Sequence, residues 1–67
     1  MIDFADRLKD LRTDKRLTMK QLADAVKVSE MAISQWESRK RIPNILSAIA
    51  LAKFFGVSVG YMVGAED

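Results

Sequence analysis

Between Thr18 and Glu37 the chain has room for two helices and almost none for the link between them. Thr18 followed three residues later by Gln21 is a capping box, in which each side chain satisfies an orphan amide of the first helical turn, so a helix starts near Met19. Ser29 caps the next helix in the same way, leaving only Lys27 and Val28 after Val26, the last apolar residue of the first. So short a link forces a sharp angle between the two axes. Leu22, Ala23 and Val26 make one apolar face, and Ile33 and Trp36 make another at i and i+3, so both helices bury one side against a common core. Their remaining sides face solvent or a partner.

No repeat, low-complexity tract or linker interrupts the 67 residues, and the length suits one small domain with a marginal core. Asp3 caps a first helix that carries Phe4, Leu8 and Leu11 to about Lys15. Pro43 suits the first position of a fourth helix, which runs through Ala48, Leu51, Ala52 and Phe55 before Gly56 supplies a left-handed stop. Ser58 opens a last short helix with Tyr61, Met62 and Val63, and residues 64–67 read as a frayed tail. The expected fold is therefore all-α, a single five-helix domain over residues 1–67. Ile45, Leu46, Ile49 and Phe54 point away from the Ala48/Leu51/Phe55 stripe, so the fourth helix is either buried on two sides or covered by a second copy. With Val59, Tyr61 and Val63 nearby, a homodimer surface of Ile45, Ile49, Phe54, Val59, Tyr61 and Val63 is the expectation.

Composition removes several function classes. The absence of cysteine and histidine excludes disulfides, a zinc finger and imidazole or thiol catalysis. Asp10 and Asp14 share a solvated helical face with no nucleophile or phosphate-binding glycine loop nearby, so an enzyme fits least, and no metal or cofactor is expected. No apolar run is long enough to cross a bilayer, and the N-terminus alternates Asp3, Asp6, Arg7, Lys9 and Asp10 where a signal peptide would be apolar. A cytoplasmic protein without membrane contact is the expectation. The net charge of +2 is unevenly spread: residues 15–41 hold seven basic and three acidic side chains, a net of +4. Arg39-Lys40-Arg41, directly after the Trp36 helix, read as phosphate contacts, whereas Lys9 and Lys53 read as ordinary solvated lysines.

Leu17-Thr18, Leu22-Ala23, Val28-Ser29, Ala32-Ile33-Ser34-Gln35-Trp36-Glu37, Pro43 and Gly56-Val57-Ser58 follow one family's pattern in order. From Arg12 to about Val63 the chain resembles the Xre/Cro/CI helix-turn-helix proteins, the lambdoid phage repressors. The resemblance implies a lambda-repressor-like fold whose third helix lies in the major groove of double-stranded DNA while the second crosses the backbone. By position, Glu30, Met31, Ser34 and Gln35 then face the bases. Gln35 suits adenine N6 and N7, Met31 suits thymine methyl groups, and Glu30 either accepts from cytosine N4 or simply favours the positive helix terminus.

The phosphate contacts implied are Arg12, Met19, Lys20, Lys27, Ser29, Arg39, Lys40, Arg41 and Asn44, with the backbone amides near Met19 and Asn44 contributing at helix starts. Met19 replaces the glutamine common in the family. Lys27 and Arg39 replace glycines, at a modest strain if left-handed. Arg12 and Glu37 match a pair that ties the first helix to the third, and as a partly exposed ion pair it would contribute about 0–1 kcal/mol. Trp36 fills the core.

The implied function is a repressor that binds a palindromic operator as a dimer, either a short Cro-like protein or the DNA-binding part of a CI-like one. Antitoxins and restriction-controller proteins resemble the same family. A protein-interaction module that no longer binds DNA is the alternative from another class.

Overall fold

The computed structural model describes residues 3–65, which form α1 (Phe4–Asp14), α2 (Met19–Val26), α3 (Glu30–Glu37), α4 (Ile45–Phe55) and α5 (Val59–Met62). Every helix opens on a polar cap: Asp3, Thr18, Ser29, Asn44 and Ser58 each accept a hydrogen bond from the amide three residues on. At Thr18 the reciprocal bond is present too, with Gln21 Oε1 accepting from the Thr18 amide at 2.8 Å.

Two boundaries differ from expectation. Pro43 lies outside α4, because Asn44 is the cap and accepts from the Ser47 amide at 2.8 Å. A helix begun at Pro43 would have needed Ile42 as its cap, and isoleucine has no acceptor to offer. At the other end, Gly64 and Ala65 are tied back, with their amides donating to the Tyr61 and Gly60 carbonyls at 3.2 and 2.8 Å. Gly64 takes the left-handed conformation that closes such an end. The rest of the expected frayed tail, residues 66–67, lies outside the described residues.

The helix ends explain how so short a chain turns so often. Arg16, Lys27 and Arg39 all have positive φ, between 57° and 65°, just past α1, α2 and α3. Each reverses the chain where glycine would do so without strain, and each brings a cation to a helix C-terminus, which the helix dipole favours.

The reversals let Leu8, Leu22, Ala23, Ile33, Trp36, Leu51, Ala52 and Met62 meet in one buried cluster to which all five helices contribute. Trp36 is 7% exposed and takes the edge of the Phe4 ring at a centroid distance of 6.3 Å, as expected of a core residue. Arg7, one of the alternating N-terminal charges, is buried: its guanidinium lies 3.7 Å over the Tyr61 ring. That cation–π contact offsets part of the desolvation, while the Arg7 Nε has no hydrogen-bond partner.

Leu51 is fully buried at the centre of this cluster. Leu51→Ala is expected to cost about 2–5 kcal/mol, comparable with the whole stability of a domain this small. Urea denaturation followed by Trp36 fluorescence should show the native baseline shortened or lost.

Candidate nucleic-acid interface

Helix α3 is divided lengthwise. Ile33 and Trp36 are buried, whereas Glu30, Met31, Ser34 and Ser38 are exposed and Gln35 is half-buried. Met31 is 68% exposed, which is unusual for a large apolar side chain and suits a surface made to be covered. The four residues expected to face bases thus lie on the free side of one helix.

Depressions run along both flanks of that side. One, of about 420 Å³, is lined by Ala32, Gln35, Trp36, Arg41, Ile42, Pro43 and Asn44. The other, of about 290 Å³, is lined by Lys9, Arg12, Met19, Ser34, Glu37 and Ser38. The helix therefore stands as a ridge between two channels with cations in their walls. Lys9, which the sequence gives no reason to single out, enters the site here. Its spacing of three from Arg12 on α1 is the signal that places both on one helical face.

The nine expected phosphate contacts fall into different situations. Lys27, Lys40 and Arg41 are exposed and make no ion pair among the described residues. Lys20 meets Asp24 at 3.6 Å one turn along α2, both side chains being about 70% exposed, an arrangement that contributes little and releases easily. Ser29 and Asn44 spend a side-chain oxygen on capping their own helices. Met19 packs its side chain against the core, which leaves its backbone amide as the group it can offer.

Arg12 is turned inward. Its Nε and Nη2 donate to Glu37 at 2.7 and 2.9 Å, and its Nη1 donates to the Leu17 carbonyl at 2.8 Å. The side chains are only 12% and 5% exposed, so the contact is more buried than the partly exposed pair expected. The bidentate bond to Glu37 raises the Arg12 pKa against the opposing effect of burial. Arg39 is also engaged, donating from Nε to Asp3 at 2.8 Å and from Nη2 to Asp6 at 2.8 Å.

The expected dimer residues do not form one patch. Ile45 and Phe54 are nine positions apart on α4, about half a turn around the helix. Phe54 looks toward Ala25, Val26 and Lys27 and has the Lys15 ammonium 5.9 Å from its ring, whereas Ile45 is on the other flank beside exposed Leu46. Val59 packs against the core, Tyr61 lies under Arg7, Ile49 is half-buried and Val63 is 40% exposed. Ile42, absent from the sequence expectation and carried on the α3–α4 link, is the most exposed large apolar residue among the described ones at 86%.

A helix-turn-helix family model matches residues 8–62. The chain belongs to the helix-turn-helix family. Over 98% of its length this domain is 42% identical to the transcriptional activator BcrR of Enterococcus faecalis, covering 32% of that protein. It is 31% identical to the transcriptional regulator YobD of Bacillus subtilis (strain 168), covering 57%. The domain thus spans between a third and three fifths of these relatives. Among solved structures, the P22 c2 repressor in complex with a synthetic operator superposes with a TM-score of 0.90 at 29% identity, covering 98% of this chain and all of that one. The fold is the five-helix, lambda-repressor-like one that the Xre/Cro/CI resemblance implies. The relatives are transcriptional regulators, and this helix-turn-helix domain is of their DNA-binding type. No helix among the described residues is long and apolar enough to cross a membrane.

Two outcomes follow from the ion pairs. Glu37→Ala leaves the Arg12 guanidinium buried without its carboxylate and is expected to cost about 3 kcal/mol, measurable by thermal or urea unfolding. Arg39 holds the Asp3 carboxyl below its ordinary value, first by their hydrogen bond. Because the folded pKa is the lower one, the contact's stabilisation is fully present above the ordinary aspartate range and fades as pH falls through the depressed value. Carboxyl-carbon NMR titration should find Asp3 below that range in the wild type and raised toward it in Arg39→Ala, where the bond from the Asp6 amide remains.

Proposed function

We propose that this domain binds double-stranded DNA sequence-specifically, with α3 in the major groove, and regulates transcription as a dimer on a roughly palindromic operator in the manner of a phage-type repressor. The observation that carries the reading is the stripe of exposed Glu30, Met31 and Ser34 with half-buried Gln35 on a buried-backed helix, bordered by the cations Lys27, Lys40 and Arg41, which make no ion pair among the described residues. Gln35 reads adenine, Met31 packs on thymine methyl groups and Ser34 serves base or phosphate. Glu30 lies in the first turn of α3, where the helix dipole favours it, and selects cytosine if a base edge comes within reach.

Lys9, Lys20, Lys27, Lys40 and Arg41, with Ser29, Asn44 and the Met19 amide, supply the phosphate contacts. Arg12 serves chiefly to brace α3 through Glu37. Eight helical residues read too few bases for high specificity, so a second copy doubles the site and imposes its two-fold symmetry on the operator. The dimer surface is centred on Ile45 and Ile49, four positions apart on one side of α4. Repression follows where the operator overlaps a promoter. An activator and a repressor both stand among the similar proteins, which fits one recognition geometry used at different positions.

Selection from a randomised duplex pool should enrich a two-fold symmetric consensus. Titration of the winner should show log affinity falling with log salt at a slope near about −4 to −5 per subunit. Reversing Lys40 and Arg41 to glutamate should abolish binding without moving the thermal midpoint. Failure to enrich any sequence at low salt and high protein concentration would replace this reading with a protein-interaction module using Ile42, Ile45 and Leu46.

A further inference from the structure

Arg39 stands one residue past the C-cap of α3, and its guanidinium bridges two carboxylates at the start of α1. Nε and Nη2 donate to the two Asp3 oxygens at 2.8 and 3.2 Å, and Nη2 reaches Asp6 at 2.8 Å. Asp3 does double duty, since its Oδ1 also caps α1 through the Asp6 amide. Helix α1 grips the end of α3 at two other points, Phe4 against Trp36 and Arg12 with Glu37. The Arg39 bridge differs from these in where it acts: it holds the residue from which the α3–α4 link departs. In that link the Lys40 and Arg41 amides donate to the Gln35 carbonyl at 2.9 and 3.3 Å, and the two side chains are cations of the candidate interface that make no ion pair among the described residues.

We infer that Arg39 is a positioning residue and not a phosphate contact: its bridge to Asp3 and Asp6 anchors the 39–44 link to α1 and thereby aims Lys40 and Arg41 at the DNA backbone. This rests on the DNA-binding reading above. A guanidinium already matched by two carboxylates adds little net attraction for a polyanion, and moving it to a phosphate would leave Asp3 and Asp6 uncompensated beside that polyanion. The left-handed backbone at Arg39 narrows the chain's choices at the same point, so the bridge and the turn specify one path for the link. An isolated exposed pair would be a weak anchor, but here one fork engages two acids on a preformed helix start.

The test compares Asp3→Asn/Asp6→Asn, which keeps a capping oxygen at position 3 and removes two negative charges, with Arg39→Ala and Arg41→Ala. Amide hydrogen exchange on the free protein is read first. The bridge variants, but not Arg41→Ala, should speed exchange at Lys40 and Arg41 by about two- to fivefold while leaving α4 amides unchanged. Unchanged protection would overturn the inference whether or not the domain binds DNA.

Affinity for the selected operator is then measured against salt. The Asn pair and Arg39→Ala should each weaken binding by about two- to fivefold, without further loss when combined, and with the slope unaltered. Arg41→Ala should lower the slope by about 0.9. Tighter binding by the Asn pair, or a slope lowered by Arg39→Ala, would make Arg39 a phosphate contact. Failure of the proposed function would show separately, as a wild-type protein without sequence preference.

Discussion

An eight-residue helix does not hold its shape alone in water, because the cost of nucleating the first turn is recovered only over a dozen or more residues. Helix α3 has eight, and one side of it is left uncovered. Everything else in the domain compensates for that constraint. Ser29 closes the exposed amide end, Ile33 and Trp36 anchor the other side in the core, and α1 clasps the C-terminal turn through Phe4 and Arg12 while Asp3 and Asp6 at its start hold Arg39 just beyond. The rear of the helix is packed, so under the proposed DNA-binding function its exposed side chains start from defined positions and lose less freedom on binding.

The cations divide the labour. Lys27, Lys40 and Arg41 are free of carboxylate partners among the described residues, which under the proposed function leaves their charge to a polyanion. A charge meant to hold two helices together gains by being paired and sheltered, and Arg12 is both. Arg7 is a third kind, a buried cation resting on an aromatic face. Arginine suits the second and third tasks because its planar fork matches a carboxylate and stacks on a ring, which a lysine ammonium does not do.

Much of this was readable from residue order alone. The caps Asp3, Thr18, Ser29 and Ser58, the Thr18/Gln21 box, the Gly56 stop, the burial of Trp36 and the free face of α3 are local or periodic signals, whereas the Arg12–Glu37 bridge, 25 residues apart, was legible only through the family resemblance. Other features depend on side chains distant in sequence. Arg7 reads as one more charge in an alternating run until α5 brings Tyr61 over it, and Arg39 reads as part of a basic triplet until α1 brings Asp3 and Asp6 to it. Phe54 and Ile45 look alike as surplus apolar residues, and their separation around the helix becomes telling only once α2 is seen to neighbour one of them.

The sequence by itself determined that there are five helices, most of their caps and which side of each is apolar. Those properties follow from bonds and contacts within about four residues, and the chain carries them wherever it goes. Only the tertiary structure decided what each charge does. A guanidinium has the same reach and the same donors in Arg7, Arg12, Arg39 and Arg41, and the groups within hydrogen-bonding distance of it are set by how the helices pack.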